Sequence, residues 1–194
     1  MVYGSAVSSY GVPMNPRECV LYSGGLRGAE AAFGEAAERH AVEEVNFTFE
    51  GHRIERSRGV RTLSAAELQH GDVSFAYLSK LMNRHYPETD VFKRVLQTIW
   101  HQVNNAQEVY VVGKILPDDT VMGGTGWGAE FAKLCNKPLF VFDQERDGWF
   151  HWSGTGWESG VPTIGHPHFC GTGTRNLRDN GRRAIADLFK RSFP

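Results

Sequence analysis

Three glycine-rich turns, each following a short apolar run, are the residues of this chain best suited to chemistry. They are Ser23-Gly24-Gly25 after Cys19 to Tyr22, Gly123-Gly124-Thr125-Gly126 after Val109 to Val112 and a loop, and Gly171-Thr172-Gly173 after His168 to Cys170. Glycine lets backbone N–H groups approach a bound group closely, and a helix starting at such a turn adds positive potential. Phosphate is the group this suits. Cations stand near each turn: Arg27 after the first, Lys114 just past the strand before the second, and Arg175 after the third, following Thr174, where a guanidinium can fork onto a phosphate. Glu130 lies one helical turn inside the second loop, within reach of a bound ribose for acid–base work or for stabilising a ribosyl cation. The helix dipole alone also favours a carboxylate there. Trp127, in the same loop, offers a ring to stack on a base. No turn has GxGxxG spacing in a standard βαβ unit or a P-loop lysine, which argues against NAD binding or ATP hydrolysis of the usual kinds.

The elements that must carry these turns alternate between strand and helix. Cys19 to Tyr22, Val109 to Val112, Leu139 to Phe142 and the His168–Cys170 segment read as strands, and Val45, Phe47 and Phe49 alternate as another. Ala29, Ala32, Phe33, Ala36, Ala37 and His40 share one face of a helix, and Phe92, Val95, Leu96, Ile99, Trp100 and Val103 share another, with Thr89 or Asp90 as its cap. A last helix, about 178–191, uses Leu177, Ala184, Ile185, Leu188 and Phe189. Such alternation predicts an α/β fold with a mainly parallel sheet and helices on both faces, its site beyond the carboxyl ends of the strands. Residues 51–89 break the rhythm. They are rich in Arg and His and contain capping-box spacing at Ser64 and Glu67, so they read as an insertion over the sheet edge or a lid. Residues 1–16 read as a flexible N-terminal tail and 17–194 as one domain. Trp149 to Trp152 reads as an edge strand.

Composition narrows the classes of function. The 194 residues fit one domain, and 21 basic against 22 acidic residues give no electrostatic footprint for nucleic acid. No run of about 18 apolar residues would cross a membrane. The three cysteines, Cys19, Cys135 and Cys170, form no CxxC pair and read as buried free thiols, which suits a reduced, cytoplasmic compartment. His166 and His168 lack carboxylate partners nearby, so no metal site is expected. Self-association stays open.

The same turns resemble a known family. Ser23-Gly24-Gly25-Leu26-Arg27-Gly28-Ala29-Glu30 resembles the SGG-x-x-GAD turn of the SLOG superfamily, the group around YpsA, DNA-processing protein A and the LOG proteins, with Glu30 where Asp is common. Gly123 to Glu130 resembles the PGG-x-GT-x-x-E signature of the LOG branch, with Met122 for its proline and Trp127 for its threonine. In that branch the glycines hold phosphate and the final glutamate takes part in cleaving an N-glycosidic bond. Phe169 to Arg175 resembles the GIGSR element that precedes the SGG strand in unpermuted members and here follows it. The resemblance, which leaves out residues 51–89 and 143–165, implies a circularly permuted, YpsA-like member with a Rossmann-like three-layer α/β/α sandwich. It implies a nucleotide or ribose-phosphate ligand, no further required cofactor, and a sensing or binding module. The ligand would sit among Ser23, Gly24, Gly25, Arg27, Lys114, Gly123 to Trp127, Gly171, Gly173, Thr174 and Arg175. A nucleotide N-glycosidic hydrolase using Glu130 is the second reading. A DNA-processing role is the third, disfavoured by the near-zero charge.

Overall fold

The computed structural model of the chain describes residues 14–86 and 90–194, without the side chain of Asp90. Most of the tail and the Thr89 cap therefore lie outside the described residues. The elements run β1 (Val20–Ser23), α1 (Ala29–Arg39), β2 (Glu43–Phe49), β3 (Val60–Leu63), α2 (Ala65–Leu68), α3 (Asp72–Leu81), α4 (Asp90–Asn105), β4 (Glu108–Gly113), α5 (Thr125–Leu134), β5 (Leu139–Asp143), β6 (Gly148–Trp152), β7 (Trp157–Ser159), β8 (His168–Gly173) and α6 (Asp179–Ser192). The strands form one sheet in the order β3-β2-β1-β8-β4-β5-β6-β7. Every pairing from β3 to β5 is parallel, and β6 and β7 close the far edge antiparallel.

Alternation along the central strands builds three layers. Tyr110, Val112 and Phe142 join Leu21 and Phe169 on one face, against Phe33 and Ala36 of α1 and Ile185, Leu188 and Phe189 of α6. Val109, Val111, Leu139, Val141 and Cys170 point to the other face, against Phe75 and Leu78 of α3, Leu96, Ile99 and Val103 of α4, and Phe131 of α5. Each fully buried side chain of this size contributes about 1.5–3 kcal/mol. Gly171, in the middle of β8, is a packing glycine: a Cβ there would lie 2.6 Å from the ring of Phe33.

Read from β8 onward, the order β2-β1-β8-β4-β5 is the 3-2-1-4-5 order of a doubly wound sheet. The last strand of the chain therefore fills the central place of a first strand, between β1 and β4. This is a Rossmann-like α/β sandwich, circularly permuted. At the N-terminal edge of the sheet, the Val20 N–H donates to the Pro167 carbonyl (2.7 Å) and the Ile164 N–H to Ser192 Oγ (2.8 Å), so β1, β8 and the end of α6 meet there.

Four local expectations change. Trp149 to Trp152 lies in β6, one strand in from the edge, because β7 pairs outside it. Residues 51–89 supply β3, α2 and α3, and Leu63, Leu68, Phe75 and Leu78 of that stretch are buried in the core. The capping box at Ser64 and Glu67 does form and starts α2. Phe92 stays largely exposed at the start of α4, and Cys135, just past α5, is an exposed thiol while Cys19 and Cys170 are buried. Among the described residues no helix is long and apolar enough to cross a membrane, and no group of three His, Cys, Asp or Glu side chains could hold a metal.

Candidate functional site

The first and third turns are built into each other. Ser23 Oγ donates to the Gly171 carbonyl (2.7 Å), and the Ala29 N–H at the start of α1 donates to the Thr174 carbonyl (3.0 Å). Gly28 makes that approach possible. With φ 97° and ψ −125°, it presents its bare Cα to the third turn, where a Cβ would lie 2.5 Å from the Thr174 carbonyl oxygen and 2.6 Å from that of Arg175. Gly24 is equally crowded, since a Cβ there would lie 2.7 Å from both Gln102 Nε2 and Glu30 Oε2. Gly25 is held from above: its carbonyl accepts from the N–H groups of Glu55 (2.8 Å) and Arg56 (3.1 Å). Residues 50–59 thus lie as a strap across the first turn. Arg56 anchors the strap through the buried Glu44 carboxylate at 2.6 Å.

Glu30 sits beneath both turns. Its carboxylate accepts from the Leu26 N–H (3.0 Å) and from the Thr172 hydroxyl (2.9 Å). Burial pushes its pKa above the ordinary carboxylate range, opposed by these two donors, by Arg175 and by the Gly24 N–H.

Two clefts open beside the third turn. The larger, about 710 Å³, lies over the ends of β1 and β2 and is lined by Leu26, Arg27, His52, Arg53, Ile54 and Arg175 among others. Arg27, Arg53 and Arg175 form no ion pair or hydrogen bond among the described residues. His52 stacks on Phe49 (4.3 Å, 3°) and shares a hydrogen bond with Thr48 Oγ1 (3.1 Å). Burial, and secondarily the charge of Arg175, holds its pKa below the usual imidazole value. The smaller cleft, about 150 Å³, lies over the ends of β4 and β5 and is lined by Gly113, Lys114, Met122, Glu145, Thr174 and Arg178 among others. Asn176 borders both.

The predicted residues divide accordingly. Arg27 and Arg175 line the larger cleft, and Lys114 and Thr174 the smaller, with Lys114 paired to Glu145 at 2.8 Å. Ser23, Gly24 and Gly25 are buried beneath the turns, and Gly173 packs its Cα against the Val112 carbonyl. Gly123, Gly124, Thr125 and Gly126 open α5 and line neither cleft; Gly126 packs on the Val121 carbonyl. Trp127 is buried, its ring against Phe75 (5.7 Å) and Tyr86 (5.6 Å), so its indole fills core. Glu130 lies outside both clefts and pairs with Lys133 at 2.8 Å; that ammonium also rests 3.9 Å from the centre of the Trp152 ring. Sequence reasoning did not single out Arg53, His52 or Arg178 as site residues. The first two lie in the Arg- and His-rich stretch, whose composition was the available signal.

No family model and no curated protein matches the chain. A solved structure does. It is that of a "Putative molybdenum carrier protein" from Syntrophus aciditrophicus SB, with a TM-score of 0.52 and 17% identity, covering 91% of this chain and 96% of that one. The two share a fold.

Proposed function

We propose that this protein is a binding module for a small phosphate-bearing ligand, of the nucleotide class, held in the cleft between the strap and the third turn. The observation that carries this is that Arg27, Arg53 and Arg175 line one cleft and, among the described residues, none of them is paired to an anionic side chain, the Glu55 carboxylate of the same cleft included. Guanidinium groups bind phosphate in two-pronged fashion, and three in one place suit one phosphoryl group and its charge. Leu26, Ile54 and Val95 give the same cleft an apolar wall for a ring, and about 710 Å³ suits a small molecule. Its place at the carboxyl edge of a doubly wound sheet is where such folds bind ligands. The structurally similar protein is named a "Putative molybdenum carrier protein", and a carrier is a binding protein by name. Hydrolysis by Glu130 gains no support, since that carboxylate is engaged by Lys133 away from either cleft.

Thermal unfolding tests the proposal. A ligand at a hundred times its dissociation constant adds about 2.7 kcal/mol, which raises the midpoint of a domain this size by about 5–10 °C. Adenosine 5′-monophosphate is expected to give such a shift, and Arg175→Ala and Arg27→Ala to diminish it. Molybdate, also a tetrahedral dianion, is the third arm. A shift with molybdate alone replaces the nucleotide class with an oxyanion. A nucleotide shift equal in wild type and both variants removes the cleft from the site.

A further inference from the structure

We propose that the ligand carries two separate anionic groups, one for each cleft, and lies astride the third turn; this rests on the phosphate-binding reading above and adds the ligand's second charge. The turn is a fixed divider. The Thr174 N–H donates to the Val112 carbonyl (2.8 Å) and the Thr174 carbonyl accepts from Ala29, which ties the turn to β4 on one side and to α1 on the other. The Asn176 N–H donates to Thr174 Oγ1 (3.1 Å), and Gln144 Nε2 donates to the Asn176 carbonyl (3.3 Å). Gln144 also accepts from the Arg178 N–H (2.7 Å), so the far side of the turn is tied down by β5's loop. Arg175 lines one cleft, Thr174 and Arg178 the other, and Asn176 both.

The smaller cleft has its own cationic surplus. Lys114 and Arg178 share a single carboxylate, Glu145, at 2.8 and 4.0 Å. A phosphoryl group entering there takes over Lys114 and releases Glu145 toward solvent, where that side chain is already 47% exposed. A divider of three residues is about 10 Å across at most. Two phosphoryl groups on one nucleoside or sugar span such a distance, and the small volume of the second cleft admits a phosphoryl group and little else. The ligand class is therefore a bisphosphate with its two groups on different carbons.

Isothermal titration of the full chain with adenosine 3′,5′-bisphosphate, adenosine 5′-monophosphate and fructose 1,6-bisphosphate tests this. The nucleoside bisphosphate is expected to bind wild type about tenfold more tightly than the monophosphate or better, as a second charge-assisted contact implies. In the Lys114→Ala/Arg178→Ala variant that ratio is expected to fall to about one. In Arg175→Ala both affinities are expected to fall together with the ratio kept. If fructose 1,6-bisphosphate binds with the same dependence on Lys114 and Arg178, the phosphates and not the base define the class. A wild-type ratio near one, or a ratio indifferent to Lys114 and Arg178, overturns the two-cleft ligand and leaves the single-cleft reading standing. Absence of binding by all three probes overturns both.

Discussion

The joint between the first and third turns makes Gly28→Ala the sharpest test of the site's architecture. The substitution carries two penalties. At φ 97° and ψ −125° the backbone is in a region essentially restricted to glycine, which costs a residue with a Cβ about 1–3 kcal/mol. The new methyl group also meets two backbone oxygens at 2.5 and 2.6 Å. Carbonyl oxygens of a tied turn cannot rotate away as a side chain would, so the third turn must move, for about 1–3 kcal/mol more. Movement lengthens the Ala29–Thr174 hydrogen bond as well. A total of about 2–6 kcal/mol corresponds to a melting midpoint about 5–20 °C lower for a domain of this size. Gly154→Ala is the control: its φ is 99°, yet no atom lies within 4 Å of the added Cβ. It shares a positive φ with Gly28 but has no clash. Differential scanning calorimetry on the two variants separates the contributions. Equal losses in both would refute the claim that the two turns touch through Gly28, and an unchanged midpoint in Gly28→Ala would refute the geometry altogether.

Other outcomes follow from particular side chains. Trp127→Ala is expected to cost about 3–5 kcal/mol through the cavity it leaves, visible as a large fall in denaturant midpoint; a normal midpoint with lost ligand binding would make it a stacking residue instead. Arg56→Ala leaves the buried Glu44 carboxylate with the more distant Arg58 at 3.3 Å, so about 2–3 kcal/mol should be lost and the strap loosened, read as faster amide exchange at Glu55 and Arg56. Burial holds the pKa values of His52, His101 and His166 below the ordinary imidazole value, so at these three groups the folded state binds fewer protons than the unfolded one, while the raised carboxyls of Glu30 and Glu108 act in the opposite sense. The histidines' contribution to stability should therefore be full above about pH 6.5 and fall as the pH drops through the depressed values, and Arg175→Ala should raise the pKa of His52 in a proton NMR titration. A chain relinked from Pro194 to Asn15 and opened between Gly160 and the 74%-exposed Val161 should fold to the same circular dichroism spectrum; failure to fold would contradict the doubly wound order.

What the sequence disclosed depended on whether a residue's neighbours in space were also its neighbours in the chain. The buried strands were legible because β1, β4 and β5 carry short continuous apolar runs, as burial on both faces demands, and because Phe169 and Cys170 of β8 run directly into a glycine turn. β3 was not. Three of its four residues are exposed at the sheet edge, and Leu63 alone marks its inner side. The arginines of the first and third turns were visible from their place after glycine, whereas Arg53 reaches the same cleft only because the strap folds back onto the Gly25 carbonyl. Trp127 was misleading for a local reason: α5 already begins at Thr125, so a residue that reads as part of a glycine loop sits in a first helical turn facing Phe75. Gly24 reads as a phosphate glycine, yet its immediate necessity is the crowding by Glu30 and Gln102, and Gly28, which the spacing does not single out as a site residue, is required by the third turn.

The permutation and the site are compatible because they occupy opposite ends of the same strands. In a doubly wound sheet the crossovers on either side of the central strand leave in opposite directions, and the carboxyl edge between them stays uncovered. Here that central strand is β8. The way to β1 and β2 is covered by α6 and α1 on one face, and the way to β5 by α5 on the other. Both clefts flank the turn leaving β8 at this edge, with cations supplied from each side: Arg27 and Arg53 from the β1 and β2 loops, Lys114 from the β4 loop. The link that the order of elements omits, from α6 to β1, belongs to the other edge, where Ser192 holds the Ile164 N–H and Pro167 holds that of Val20. Those contacts fix the register of β1 against β8 without a covalent connection. A turn positioned by register keeps its partners whichever loop is open, so Arg27 and Arg175 still meet over one cleft even though 148 residues of sequence, 175 less 27, separate them.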